Sequence, residues 1–361
     1  FEIEVAGDDI VRVELENGFV LWTRADDLVR ERGRRSISRS GTETAWEIDP
    51  RPAFRSTPET SRGWLKIGIR ILDFFGVDLV GQSAAVLGEK LERKLLGGEP
   101  ALYHCPLDGE YKLIPVSDAR PVVKPGAGEP LLLVLHGTAS SGEGSFGKLW
   151  KTDAGADARG KLRDRYGERV YSWEHRTLTE SPIANALQLA RVLLEPLPRG
   201  TSIDLVSHSR GGLVGEVLCL AQRNRDDDPL QAEVLDELFA ADRIIAAQLG
   251  LGSLDSSAAK ARDEAYRRDR QALAELGALL DRKQIGINRF VRVACPARGT
   301  TLASGRLDRW LSVLTWFAGK SLAADALDFV FAVVKERTDP RTLPGLEAMM
   351  PGSALTRMPQ H

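Results

Sequence analysis

The chain has 361 residues, with 49 Lys and Arg against 51 Asp and Glu, a net charge of −2, and 43% hydrophobic and 28% charged residues. That composition describes a soluble globular protein long enough for two domains or one elaborated domain, and a balance so near zero excludes a general nucleic-acid binder. Three widely spaced cysteines, Cys105, Cys219 and Cys295, exclude a disulfide framework or a cysteine metal cluster and fit a reducing cytoplasm.

No signal peptide is legible, and a first residue Phe rather than Met reads as a piece of a longer polypeptide. Phe1, Ile3 and Val5 alternate with Glu2 and Glu4, a half-buried strand pattern; Ile10 to Leu15 and Phe19 to Thr23 follow as antiparallel neighbours across the Asn17-Gly18 turn. Glu31 to Ser61, rich in Arg, Ser, Thr and Pro, reads as a long loop. Trp64 to Leu96 carries helical spacing with a break near Gly76, and Leu102 to His104 and Tyr111 to Val116 read as short strands. Residues 1–120 therefore form a β-containing N-terminal region with a loop and a helix, and 121–361 a second domain.

The second domain alternates strand and helix. Pro130 to Leu135 (PLLLVL) is a continuous apolar run suited to a strand covered on both faces, and it ends in His136-Gly137-Thr138-Ala139-Ser140-Ser141-Gly142. Phe146 to Arg165 predicts a helix with irregularities, Arg169 to Glu174 a strand ending in His175-Arg176-Thr177, and Ser181-Pro182 the start of a helix to about Leu197. Then come the strand Ser202 to Val206, the turn Ser207-His208-Ser209-Arg210-Gly211-Gly212 and another helix. This repeat predicts an α/β fold with a parallel sheet flanked by helices, in which ligands bind at strand carboxyl ends. Thr138, His175 and Ser209 all fall there. Charged, helical residues from about 223 to 286 interrupt the pattern and are expected to form a helical lid over those ends, with a peripheral hairpin as the plainer alternative. Phe290 to Ala294 is a further strand, ending in Cys295-Pro296-Ala297-Arg298-Gly299-Thr300. Asp308 to Val334 reads as two apolar helices. Lys320, Asp325 and Asp328 break that region, so it is no membrane span. Turns follow from Asp339 to Leu355.

The stretch from Thr201 to Glu216 has the layout of a nucleophile elbow, a serine on a tight turn between a buried strand and a helix. The turn lifts a weak nucleophile above the sheet, and its neighbours two residues away must be small; here they are Ser207 and Gly211. The helix aims free N–H groups at the spot where an oxyanion forms. Ser209 is the expected nucleophile, and the backbone N–H groups of Thr138 and Arg210 the expected oxyanion donors. His136 is expected to tie down its loop. A base and an orienting carboxylate are required as well. After the elbow the only histidine is His361, a poor base at the chain end. Three readings stay open: the missing elements follow His361 in a continuation that carries further strands, His175 serves as an unconventional base, or the site is silent.

HGTASS at His136 to Ser141, HSRGG at His208 to Gly212 and PARGT at Pro296 to Thr300 resemble the α/β-hydrolase superfamily on its lipase side, over roughly Glu129 to Leu355. More narrowly, HGTASSGEGSFGKLW, WEHRTLTESPIANAL and HSRGGLVGE resemble bacterial lipase-like domains that accompany caspase-like CHAT modules in large, defence-related proteins. The resemblance implies Ser209 as nucleophile, Thr138 and Arg210 as oxyanion donors, and a cytoplasmic multidomain parent; it supplies no acid, base or substrate. The expected function is a serine hydrolase of a carboxylic ester or related acyl bond, with a small acyl or lipid-like substrate, no metal or organic cofactor and no nucleic-acid partner. The alternatives are a catalytically silent binding or scaffold domain and a serine peptidase on the same fold.

Overall fold

The computed structural model describes residues 10–15, 20–25, 28, 33–37, 44–48, 69–75, 84–117, 119, 121–126, 128–223, 257–296, 343–349, 353 and 355. The chain divides into two compact units, Phe1–Leu91 with Leu302–Pro340, and Glu92–Thr301 with Arg341–His361.

In the first unit, β1 (Ile10–Leu15) lies between β2 (Val20–Arg24) and β5 (Ile69–Phe75), antiparallel to both. Ile10, Val11 and Val13 of this central strand are buried. β3 (Gly33–Ile37) and β4 (Thr44–Ile48) form a separate antiparallel pair. Two expectations are corrected here. The supposed loop from Glu31 to Ser61 contains this pair, because Thr44, Trp46 and Ile48 alternate with Ala45 and Glu47 inside a polar stretch that masks the period of two. The helical reading from Trp64 fails before Gly76, where isoleucines and phenylalanines favour the pleated strand β5. The described helix of this stretch is α1 (Ala84–Leu96). The expected strand at Phe1 to Val5 and helices at Asp308 to Val334 lie outside the described residues.

The second unit is built on a mixed six-stranded sheet flanked by helices, an α/β arrangement, in the order β11-β10-β8-β9-β6-β7. β6 (Ala101–His104) and β7 (Ile114–Pro115) precede the apolar strand β8 (Pro130–Leu135). Three helices follow, α2 (Gly142–Phe146), α3 (Lys148–Lys151) and α4 (Asp153–Tyr166), in place of the one irregular helix expected. Thr152 splits the run by capping α4, its hydroxyl accepting from Gly155 N–H at 3.1 Å. β9 (Val170–Glu174) is buried along its whole length. It leads to α5 (Pro182–Leu189), which closes in a π turn, Ala190–Leu194. β10 (Ser202–His208), α6 (Gly211–Arg223), α7 (Ser257–Lys283), β11 (Gly286–Val293) and α8 (Pro344–Glu347) complete the unit.

The parallel sheet expected from the strand–helix repeat holds for β8, β9, β10 and β11. It is corrected at β6, which runs antiparallel to β9 and β7. No crossover helix separates β6 from β7, and without one neighbouring strands cannot run parallel. Of the insertion expected as a lid, residues 224–256 lie outside the described residues, and α7 packs on α5 and α6.

Candidate active site

The turn between β10 and α6 carries one of the four non-glycine residues with left-handed φ among the described residues, the others being Ala139, Gln284 and Ala294. Ser209 has φ 51°, the left-handed region that L residues other than glycine rarely adopt. The strand end and the helix start fix it there. Ser209 N–H donates to Val293 O of β11 at 2.8 Å, and Ser209 O accepts from Gly212 N–H at 3.0 Å. At Gly211 a Cβ would lie within 2.6 Å of the carbonyl oxygens of Leu135 and His136, so only glycine lets the helix approach the end of β8 this closely. Ser209 is partly exposed, and its hydroxyl has no hydrogen bond among the described residues.

Thr138 lies on the turn after β8. Neither its N–H nor that of Arg210 makes a backbone hydrogen bond among the described residues. Ala139 beside it has φ 45°, and its N–H donates to Thr177 Oγ1 at 2.9 Å. Ser145 of α2, which follows that loop, is a hub. Its hydroxyl accepts from Gly137 N–H at 3.1 Å and lies 3.2 Å from His208 Nδ1 and 3.3 Å from Ser140 Oγ.

The Arg210 side chain turns away from the solvent and is fully buried. Its Nε donates to Gly345 O at 2.8 Å, and it also donates to Glu180 O. Burial lowers its pKa to about 10, against the opposing pull of Glu92 and Glu180.

Three histidines surround the elbow. His136 Nε2 accepts from His175 N–H at 3.0 Å, which leaves the proton on Nδ1, 2.9 Å from Gly137 O. Burial holds His136 below the usual range despite Glu174 nearby, so its 3.7 Å approach to Glu174 is not an ion pair at neutral pH. The His136 and His175 rings are 4.2 Å apart. His175 Nδ1 lies 3.1 Å from Trp173 O, while its Nε2 is buried without a partner among the described residues. Burial, His136 and Arg210 together push its pKa well down. His208, half-buried, is lowered by burial and by His136. The structure thus brings Ser209, Thr138 and Arg210 to one sheet edge with His175 at the end of the adjoining β9. It places no histidine nitrogen in hydrogen-bond contact with the Ser209 hydroxyl among the described residues. His361 lies outside them.

Two buried carboxylates hold the loops at this edge. Glu174 accepts from Gly142 N–H at 2.9 and 3.1 Å and from Ser172 Oγ at 2.9 Å. Glu92 of α1 accepts from Thr179 N–H at 3.2 Å, from Thr177 and Leu178 N–H, and from the Thr179 hydroxyl. Sequence reasoning passed over Glu92, Glu174, Ser145 and Thr177. A signal existed for Glu174, a charge closing a buried strand just before His175; none existed for Glu92. No group of three His, Cys, Asp or Glu side chains among the described residues is placed to hold a metal, and no described helix is long and apolar enough to cross a membrane. No disulfide joins Cys105, Cys219 and Cys295.

The fold and this turn define an α/β protein that presents a serine between a parallel strand and a helix. The chain belongs to the family described as Domain of unknown function (DUF7379), which matches residues 109–241 and 269–358. No curated protein and no solved structure matches it.

Proposed function

We propose that the second unit is an α/β-hydrolase-like serine acyl hydrolase acting on a carboxylic ester or related acyl bond. The observation that carries this reading is the left-handed Ser209 on the β10–α6 turn, flanked by the N–H groups of Thr138 and Arg210, which make no backbone hydrogen bond among the described residues. In the proposed reaction the Ser209 hydroxyl oxygen attacks the acyl carbonyl carbon and gives up its proton to a base. The Thr138 and Arg210 N–H groups hold the tetrahedral oxyanion. Collapse expels the alcohol, which takes the proton, and water then releases the acid and regenerates the serine. His175 is the first base to test, because its Nε2 lone pair has no partner among the described residues. Its depressed basicity makes it a weak acceptor for a serine proton. The apolar stretch Leu235 to Leu254 of the inserted residues favours an acyl or lipid-like substrate, and the resemblance adds a cytoplasmic setting and a multidomain parent.

A second reading, a silent domain that uses the strand-end edge to bind a partner, is favoured by the absence of a histidine on the Ser209 hydroxyl among the described residues. A fluorophosphonate probe separates the two. Labelling of the chain that disappears in Ser209→Ala supports the hydrolase, with His175→Ala deciding the base. A folded chain that takes up no probe sinks the reading of this chain as a working hydrolase.

A further inference from the structure

The segment Leu343–Met349, read from sequence only as turns, is fastened to each of the three loops that meet at the candidate site. Gly345 sits between two of them. Its N–H donates to Leu178 O at 3.1 Å, and its carbonyl accepts from Arg210 Nε at 2.8 Å. A Cβ at this position would collide with Thr177 O and lie 2.8 Å from Glu180 O, so the seat admits only glycine. Four residues further on, Thr138 Oγ1 donates to Met349 Sδ at 3.4 Å. Leu343, Ala348 and Met349 are buried. The segment contributes no strand to the six-stranded sheet, and its helix α8 is a single turn. It therefore touches both residues whose N–H groups are the candidate oxyanion donors, yet forms no part of the framework that positions them.

We propose that Leu343–Met349 is a strap that narrows access to Ser209 at the strand-end edge when Gly345 is seated and widens it when Gly345 leaves. The strap is held by the bonds at Gly345, the Thr138–Met349 contact and the burial of Leu343, Ala348 and Met349, none of which is a sheet ladder bond, so it can detach as a unit without disturbing the sheet. Arg210 makes release thermodynamically accessible. With the strap in place its guanidinium is removed from water, and Nη1 is without a partner among the described residues. Lifting the strap gives up the bond to Gly345 O but lets water reach the guanidinium, which offsets part of the loss. Opening and closing thus trade a protein contact for hydration of the residue next to the nucleophile.

The inference takes Ser209 from the reading above as the reactive position but does not require that it turn over an ester. The test is therefore chemical. Ser209→Cys is prepared with and without Gly345→Ala, and alkylation by iodoacetamide at position 209 is followed by peptide mass spectrometry, which separates it from the three native cysteines. Amide hydrogen exchange over 343–349 reports whether the strap has left its seat. The expected result is loss of protection in the strap and alkylation about tenfold faster with Gly345→Ala. A released strap with an unchanged rate overturns the proposal, and so does a strap that stays protected. Should Gly345→Ala fail to fold, Met349→Ala replaces it: faster alkylation supports the strap and an unchanged rate rejects it. If alkylation responds but the fluorophosphonate probe never labels Ser209, the strap stands and the hydrolase reading falls.

Discussion

The loops after β8 and β9 solve the same problem with different materials. Each leaves a parallel strand at its carboxyl end, and each is organised by a buried carboxylate that gathers N–H groups. The β8 loop uses Glu174, the last residue of the neighbouring strand, which reaches Gly142 across 32 positions. The β9 loop uses Glu92 from α1, 85 positions before Thr177. The first arrangement is a by-product of sheet pairing, since β8 and β9 already lie side by side. The second needs a helix from another part of the chain. The β9 loop therefore depends on a long-range contact that the sheet does not guarantee, and the β8 loop leans on it in turn through Ala139 N–H and Thr177 Oγ1.

Of the two carboxylates, Glu92 carries the larger share of its loop. Glu92→Ala strips charge-assisted bonds from Thr177, Leu178 and Thr179 and leaves buried donors unpaired, a loss on the order of 4 kcal/mol in urea unfolding. Faster amide exchange is expected at 177–179 and also at Ala139. Exchange confined to 177–179 would disprove the coupling between the loops. Glu174→Ala is expected to cost less, about 3 kcal/mol, because sheet pairing still holds the strand end. Its exchange signature belongs at Gly142, and an effect at 177–179 instead would reverse the assignment. The smallest effect sharpens a further difference. The β9 loop ends on Ser181, whose hydroxyl donates to Asp269 of α7 at 2.6 Å. Burial raises Asp269 to about 6, opposed by the Ser181 bond and by Arg268 and reinforced by Glu180. An acid held above its unfolded pKa destabilises the fold when ionised. Stability from this group is therefore gained as pH falls through 6 towards 4 and is absent above 7. Asp269→Asn removes that gain, so the melting temperatures of the two proteins should differ in their change between pH 7.5 and 5. Equal changes would show that Asp269 does not titrate there.

What could be read in advance follows the same division. The elbow was legible because a few adjacent residues decide it: Ile203 to Leu205 build a buried strand, and Ser209 to Gly212 make the turn and open the helix. The cap at Ser181 was legible for the same reason, with its hydroxyl accepting from Ala184 N–H at 3.1 Å. Glu92 and Gly345 were not, because their meaning lies in carbonyls and amides far along the chain; Arg210 and Gly345 are 135 positions apart. A glutamate on a helix and a Pro-Gly pair look alike whether they hold a loop or face water. The mixed sheet was missed at β6, whose direction depends on which edge it joins and leaves no mark in four residues.

The left-handed backbone at Ser209 also bears on how such a chain ages under mutation. A serine in that conformation folds less favourably than glycine by roughly 1 kcal/mol. Once nothing depends on the hydroxyl, replacement by glycine is downhill for folding and meets no resistance from selection for stability. Position 209 therefore works as an indicator across descendants of this chain: serine persists where the hydroxyl is used, and glycine accumulates where the domain has turned to binding alone.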